Sequence, residues 1–169
     1  MQHTLRHTAI LCLLLSLTGC GFTLRGTEQA TLPITTVQLL SAQQNSPLMQ
    51  QLRAALAAAD VSTSVTNEQA SYTLSVGEEQ TNTRTASVNS RARAAQYDLQ
   101  LAVVVQLDRA GETLFGPETL AIQRSYYEDI ANIAGSNEEM ELLRTEMRQE
   151  LVDQLLRRLR AAANTISPQ

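Results

Sequence analysis

The sequence predicts an α+β fold, a two-layer β-α-β-β-β-α domain with two helices packed on one face of a four-stranded mixed sheet. Two apolar stripes at helical spacing, in residues 48–59 and 140–159, are the first observation. The second is a period-two pattern over 97–107, in which Tyr, Leu and Val alternate with Asp, Gln, Ala and one further Val, as is typical of a half-buried strand. Both helical stripes need an apolar surface to cover, and the sheet provides one.

The first half of the predicted domain is a βαβ-like unit. A Thr-, Val- and Leu-rich run over 34–40 follows Pro33 and favours a strand. Ser46 and Pro47 then mark a helix start, since Ser caps a helix and Pro fits its first position. The helix is expected to end near Asp60, and 72–76 alternates as the second strand.

The later strands are predicted to form an antiparallel meander. The alternating run 97–107 is the longest strand, and residues 108–112 form a hairpin turn with glycine where positive φ is needed. In the return strand, Leu120, Ile122 and Tyr126 share one face, although Gly116 and Pro117 weaken the start of this strand. The polar segment 81–95 fits either long strand extensions or a protruding hairpin loop. The exposed sheet face is expected to carry Thr, Gln, Ser and Asp.

A long amphipathic helix closes the predicted domain. Ser136 and Glu139 match a capping box, and an apolar stripe follows to Leu159. An acidic start and the basic end 157–160 suit the helix dipole. Such a stripe could serve a membrane surface or a partner, but covering the sheet is the more common role, which we favour.

The N-terminus predicts a lipid anchor. Arg6 and an apolar core over 9–15 precede Leu-Thr-Gly-Cys, so residues 1–19 read as a signal peptide too short to span a membrane permanently. The run at 17–20 resembles the bacterial lipobox, which implies that Cys20 becomes an N-palmitoyl, S-diacylglycerol cysteine. Gly21 implies sorting to the outer membrane by resemblance. The alternative is an ordinary signal peptide with a chance cysteine. Residues 20–32 are expected to be a lipidated tether and 33–166 a single domain.

Composition excludes several classes of function. Loss of Arg6 with the signal leaves 12 arginines, no lysine and 17 carboxylates, a net charge of −5. This acidic balance argues against nucleic acid as a partner, which requires a broad basic face. Any anionic partner must be met by a local basic patch.

The residues left after cleavage make catalysis improbable. Both histidines, His3 and His7, lie in the predicted signal, as does Cys12. Histidine- or lysine-dependent nucleophilic catalysis and His/Cys zinc sites therefore lack their side chains. Adjacent carboxylates such as Glu78 and Glu79 are more often surface charge than a catalytic dyad. We expect no enzyme activity, no catalytic residues, no metal and no cofactor.

Several segments together resemble the LptE family of lipopolysaccharide-assembly lipoproteins of the Gram-negative outer membrane. They are Cys-Gly-Phe-Thr-Leu-Arg-Gly at 20–26, Thr-Ala-Ser-Val at 85–88, Ala-Gln-Tyr at 95–97, and Arg-Ser-Tyr-Tyr at 124–127 before a capped helix. The likeness follows the same element order that periodicity predicts. Each motif alone is weak, and their combination in order is fairly specific.

The resemblance implies a non-enzymatic role. Members of the family plug the lumen of the outer-membrane β-barrel LptD, are needed for its assembly, and bind lipopolysaccharide for placement in the outer leaflet. It implies an outer-membrane location, on the periplasmic side and in the barrel lumen, with the acyl chains of Cys20 in the inner leaflet. The loop before the last helix, 128–136, lacks the lysine that family members can carry, so no site residue is transferred there. A pilotin-like lipoprotein that escorts a secretion channel, or a purely structural lipoprotein, is the alternative.

Arg84, Arg91 and Arg93 are the candidate lipopolysaccharide-binding residues. No acidic residue lies between Glu79 and Asp98, so this stretch carries +3 in an acidic protein. Arginine pairs bidentately with phosphates, which lipid A presents. Arg91 and Arg93 would point to one side of an extended segment, with Arg84 an outlying contributor. A solvated loop whose arginines only aid solubility is the other interpretation.

Overall fold

A computed structural model describes residues 32–64, 70–88, 94–127 and 133–166 of the chain. These ranges hold six strands and two helices, and the α+β class is confirmed. In chain order the elements are β1 (Thr36–Leu40), α1 (Pro47–Ala58), β2 (Ser62–Ser64), β3 (Tyr72–Val76), β4 (Gln80–Val88), β5 (Ala94–Arg109), β6 (Glu112–Tyr127) and α2 (Ile133–Ile166).

The first half forms the predicted βαβ-like unit. β1 lies between β2 and β3 and is parallel to both. The Ser46 hydroxyl caps α1 by accepting a hydrogen bond from the Met49 amide at 3.3 Å, and Pro47 is its first residue. After α1, Asp60 adopts a φ of 59°, so the turn that ends the helix falls close to the predicted position.

β5 organises the rest of the sheet. It pairs with β6 along nearly its whole length, through a hairpin turn in which Ala110 and Gly111 both have positive φ. On its other edge, residues 105–109 pair with β3 and residues 94–102 pair with β4. β3 and β4 therefore follow one another along one edge, separated only by residues 77–79.

The expected number of strands is wrong, because two short or polar segments also pair. β2 has three residues, too few for an alternating pattern to stand out. Of the two alternatives for the polar segment 81–95, β4 corresponds to the first, a long strand extension. All nine of its residues are exposed, so it lacks the apolar face from which strands are recognised.

One apolar core holds the two layers together. It joins the inward residues of the central strands to the buried faces of both helices, so both helices cover the same sheet face as predicted. Its fully buried large side chains include Leu52, Leu74, Leu99, Leu101, Leu107, Met147, Leu151 and Leu159.

The predicted start of the last helix is wrong. The helix begins at Ile133, and Ser136 lies within it, with 8% of its surface exposed. A Ser-x-x-Glu pattern identifies a helix start only where the Ser occupies the flanking, non-helical position. Here Ser136 is packed inside the first turns, so the pattern falls in the helix interior.

The outer face of the sheet is less polar than predicted. Gln38, Thr73 and Gln100 face outward as expected, but Leu40 and Val104 on the same face are 45% and 41% exposed. These two side chains border an open groove of about 510 Å³. The polar wall is thus interrupted by an apolar patch.

Candidate functional site

The structure describes one of the predicted site residues, Arg84, whereas Cys20, Arg91 and Arg93 lie outside the described residues. Val88 at the end of β4 is paired with Ala94 at the start of β5. We call this the distal end of the sheet, formed by the last residues of β4 and β6 and the first of β5. Chain connectivity joins residues 89–93 to β4 and β5 at this end.

Arg84 forms an ion pair across the outer face of the distal end. Its Nε and Nη2 lie 3.1 and 3.0 Å from Oδ2 of Asp98, the residue opposite it on β5. Ser125 of β6 donates a hydrogen bond of 2.6 Å to the other carboxylate oxygen. Three neighbouring strands are thereby linked through one carboxylate.

This arrangement stabilises the charged form of Asp98. The hydrogen bond from Ser125 and then the one from Arg84 lower the pKa of the Asp98 carboxyl. The carboxylate is therefore ionised at neutral pH and compensates the guanidinium. An incoming phosphate would have to share Arg84 with Asp98.

Sequence reasoning missed this acidic partner because it counted charges along the chain. Arg84 and Asp98 are equally distant from residue 91. An antiparallel hairpin centred there places them opposite one another, and that is the observed register. The symmetry was visible in the sequence, but only if 81–95 is read as strand extensions.

Aromatic side chains gather at the distal end. Tyr97 and Tyr126 stack with ring centroids 5.3 Å apart. Tyr127 follows Tyr126 on the opposite face of the sheet and is 69% exposed, and Val88 of β4 is 61% exposed. The strand periodicity predicted that Tyr97 and Tyr126 face the core. That they stack on each other could not be predicted from it, because their contact depends on the register of β5 against β6.

A partly buried ion pair fixes the β3–β4 junction to α2. Arg148 donates from Nε and Nη2 to both carboxylate oxygens of Glu79 at 2.9–3.1 Å. The two side chains are only 14% and 12% exposed. Farther along the sheet, Arg124 of β6 makes a more exposed ion pair, from Nη2 to one carboxylate oxygen of Glu150 of α2. α2 is thus linked by ion pairs to the β3–β4 connection on one side of β5 and to β6 on the other.

The chemistry available at these positions is that of charge pairing and polar contact. Among the described residues, no group of three or more His, Cys, Asp or Glu side chains is placed to hold a metal ion. In the same part of the chain, neither helix combines the length and apolar character needed to cross a bilayer.

Residues 34–159 match the family model described as LptE, lipopolysaccharide-assembly. Two relatives named LPS-assembly lipoprotein LptE are similar along most of the chain. The one from Pectobacterium atrosepticum is 29% identical over 161 residues, 94% of this chain and 86% of its own length. The one from Yersinia pestis is 31% identical over 162 residues, 92% of this chain and 77% of its own length.

Solved structures share the fold. The rare lipoprotein B from Shewanella oneidensis superposes with a TM-score of 0.70 at 22% identity, covering 78% of this chain and 98% of that one. A minor lipoprotein from Acinetobacter baumannii gives a TM-score of 0.61 at 26% identity, covering 81% and 99%.

Proposed function

Because the chain belongs to the LptE family of lipopolysaccharide assembly, whose model covers residues 34–159, we propose that it plugs and helps to assemble the LptD β-barrel. We also propose that it binds lipopolysaccharide for insertion into the outer leaflet. The family match over nearly the whole domain is the observation that supports both parts. Cys20 would anchor the protein in the inner leaflet of the outer membrane.

The surface of the domain supports the role of a plug. The lumen of a large outer-membrane barrel is polar. The outer sheet face offers Gln38, Thr73 and Gln100, and the exposed side of α2 carries charged residues. A domain that fills a barrel lumen needs a matching shape and a polar surface, and it needs no catalytic group. This agrees with the proposed non-enzymatic role.

The plug role is tested by purifying the tagged protein from outer membranes in mild detergent. We expect one-to-one copurification with a large β-barrel, identified by its mass. Depletion of the protein should leave that barrel misassembled. Recovery with a secretion channel alone would contradict the proposal and favour the pilotin-like alternative.

For lipopolysaccharide, we propose Arg91 and Arg93 as the main contacts and Arg84 as a lesser one. Arg84 is 70% exposed but is already paired with Asp98. The segment that carries Arg91 and Arg93 joins β4 and β5 at the distal end. Binding through these residues follows from charge-assisted hydrogen bonds to phosphate, which are stronger than neutral ones.

The double substitution Arg91→Asp/Arg93→Asp should weaken lipopolysaccharide binding about a hundredfold or more, because two charge-assisted hydrogen bonds of about 1.5–3 kcal/mol each are lost. Affinity is measured on folded protein that still assembles with its barrel. Binding by the parent should also fall as salt rises, since exposed charges are screened within about 8 Å at physiological ionic strength.

The matched control is Arg157→Asp/Arg158→Asp, which changes the net charge equally at exposed positions of α2. It should keep the parent affinity. Unchanged binding by the first variant, with no salt dependence in the parent, would return Arg91 and Arg93 to the solvated-loop interpretation.

A further inference from the structure

The outer face of the distal end carries an exposed aromatic ring. Tyr127 lies on the same face of β6 as Ser125, whose hydroxyl donates a hydrogen bond to Asp98. Tyr97 and Tyr126 stack on the other face of the sheet, so Tyr127 takes no part in that contact. At 69% exposed, it is the most exposed large hydrophobic side chain in the described part of the chain. Its ring therefore offers a flat apolar surface to a ligand.

Two amide side chains lie beside this ring. Gln96 is directly opposite Tyr127 on β5, so their Cβ atoms are about 4.5–5.5 Å apart. Gln123 is exposed farther along the same face of β6 and donates a hydrogen bond to Asp98. Each amide provides both donors and an acceptor. Sugar hydroxyl groups also donate and accept, so amides of this kind match them.

The outer face of the distal end is electrically balanced. Among the described residues of this face, Arg84 and Asp98 carry the charges, and they form an ion pair with each other. By contrast, Arg91 and Arg93 add two positive charges in a stretch of the sequence without acidic residues. A phosphate is therefore better matched by Arg91 and Arg93, and an uncharged polar ligand by the neutral face.

The ligand of the proposed function contains both kinds of group. Lipopolysaccharide joins a phosphorylated lipid to a sugar chain. Hydroxyl groups are costly to place in hydrocarbon without hydrogen bonds, so the sugar chain has to pass through the polar lumen beside the plug. Gln96 is three residues from Arg93, at most about 11 Å of chain, so one molecule can reach both.

On the basis of the proposed binding of lipopolysaccharide, we propose that Tyr127, Gln96 and Gln123 form a binding site for its sugar chain. The ring of Tyr127 stacks against the apolar face of a sugar, and the two amides exchange hydrogen bonds with its hydroxyl groups. These contacts are few and open to solvent, so binding is weak and the chain can move past the plug. The outer face around Gln38 and Thr73 remains available to the barrel wall.

The test uses the complex of the tagged protein with its barrel, purified in mild detergent, and two probes. One probe is whole lipopolysaccharide, and the other is its sugar chain, released from the lipid by mild acid and freed of phosphate. Tyr127→Ala should weaken binding of the sugar chain about fivefold to tenfold, since one aromatic contact is lost. Gln96→Ala should weaken it as well, whereas Tyr127→Phe keeps the ring and should bind like the parent. Calorimetry measures the affinities.

Two controls separate this site from the phosphate contacts. Leu142→Ala removes a similarly exposed apolar side chain from α2 and should bind the sugar chain like the parent. Arg91→Asp/Arg93→Asp should also keep that affinity, although it weakens binding of whole lipopolysaccharide.

Three results would overturn the sugar site. They are a parent complex that binds whole lipopolysaccharide but not the sugar chain, equal binding of the sugar chain by Tyr127→Ala and the parent, and equal losses for Tyr127→Ala and Tyr127→Phe. A parent complex that binds neither probe would overturn the proposed binding of lipopolysaccharide together with the sugar site.

Discussion

Replacing Cys20 with serine is expected to abolish incorporation of labelled fatty acid and cleavage by the lipoprotein signal peptidase. The reason is chemical, since the proposed anchor is built on the cysteine sulfur. Two acyl chains already give stable anchoring, at about 0.8 kcal/mol for each buried methylene, so loss of the lipid should be the largest single effect on membrane attachment. Labelling with palmitate and the mass of the N-terminal peptide are the measurements.

Cys12→Ser is the matched control, since Cys12 is the other cysteine of the chain and lies within the predicted signal. It should keep normal labelling and cleavage. Recovery of Cys20→Ser in outer membranes through a lipid anchor would contradict the prediction. Partial recovery through contact with the barrel alone would not.

Replacing Leu101 with alanine is expected to lower the free energy of unfolding by roughly 2–5 kcal/mol, the cost of emptying a buried leucine site. Leu101 lies in β5 between Thr81 of β4 and Ile122 of β6 and is fully buried. Such a loss is a large share of the roughly 5–15 kcal/mol that stabilises a domain. Denaturant unfolding measures it.

Leu142→Ala removes the same atoms from a position on α2 where the side chain is 67% exposed. Its effect should stay within about 0.5 kcal/mol, as is usual for surface sites. Equal losses for the two variants would mean that Leu101 does not occupy the core described above.

The sequence was sufficient to predict those helices and strands that bury one face in the core. The alternation in β5 and the apolar stripe of α1 predicted both elements, because burial of one face requires those periods. The Ser46 cap and the turn at Ala110 and Gly111 were also predicted, since their chemistry is local.

Features that depend on pairing between distant segments were not predictable in the same way. β4 is exposed on both faces, so only its pairing with β5 makes it a strand. The predicted start of α2 was wrong, because Ser136 matches a cap in the sequence but is packed within the helix. At the candidate site, the Arg84–Asp98 contact follows from strand register, while the roles of Cys20, Arg91 and Arg93 remain predictions.

The paired strands β5 and β6 have 16 residues each. At about 3.4 Å per residue they form a stiff ribbon about 50 Å long, which exceeds the roughly 30 Å hydrocarbon thickness of a bilayer. Val37 of β1, Tyr72 of β3 and Arg109 lie in register next to the hairpin turn, so the chain enters the sheet at that end. The ribbon therefore separates the start of β1 from the distal end by more than the apolar thickness of a membrane. Under the proposed plug function, a domain standing along the axis of the barrel would hold its two ends in the two aqueous compartments at once.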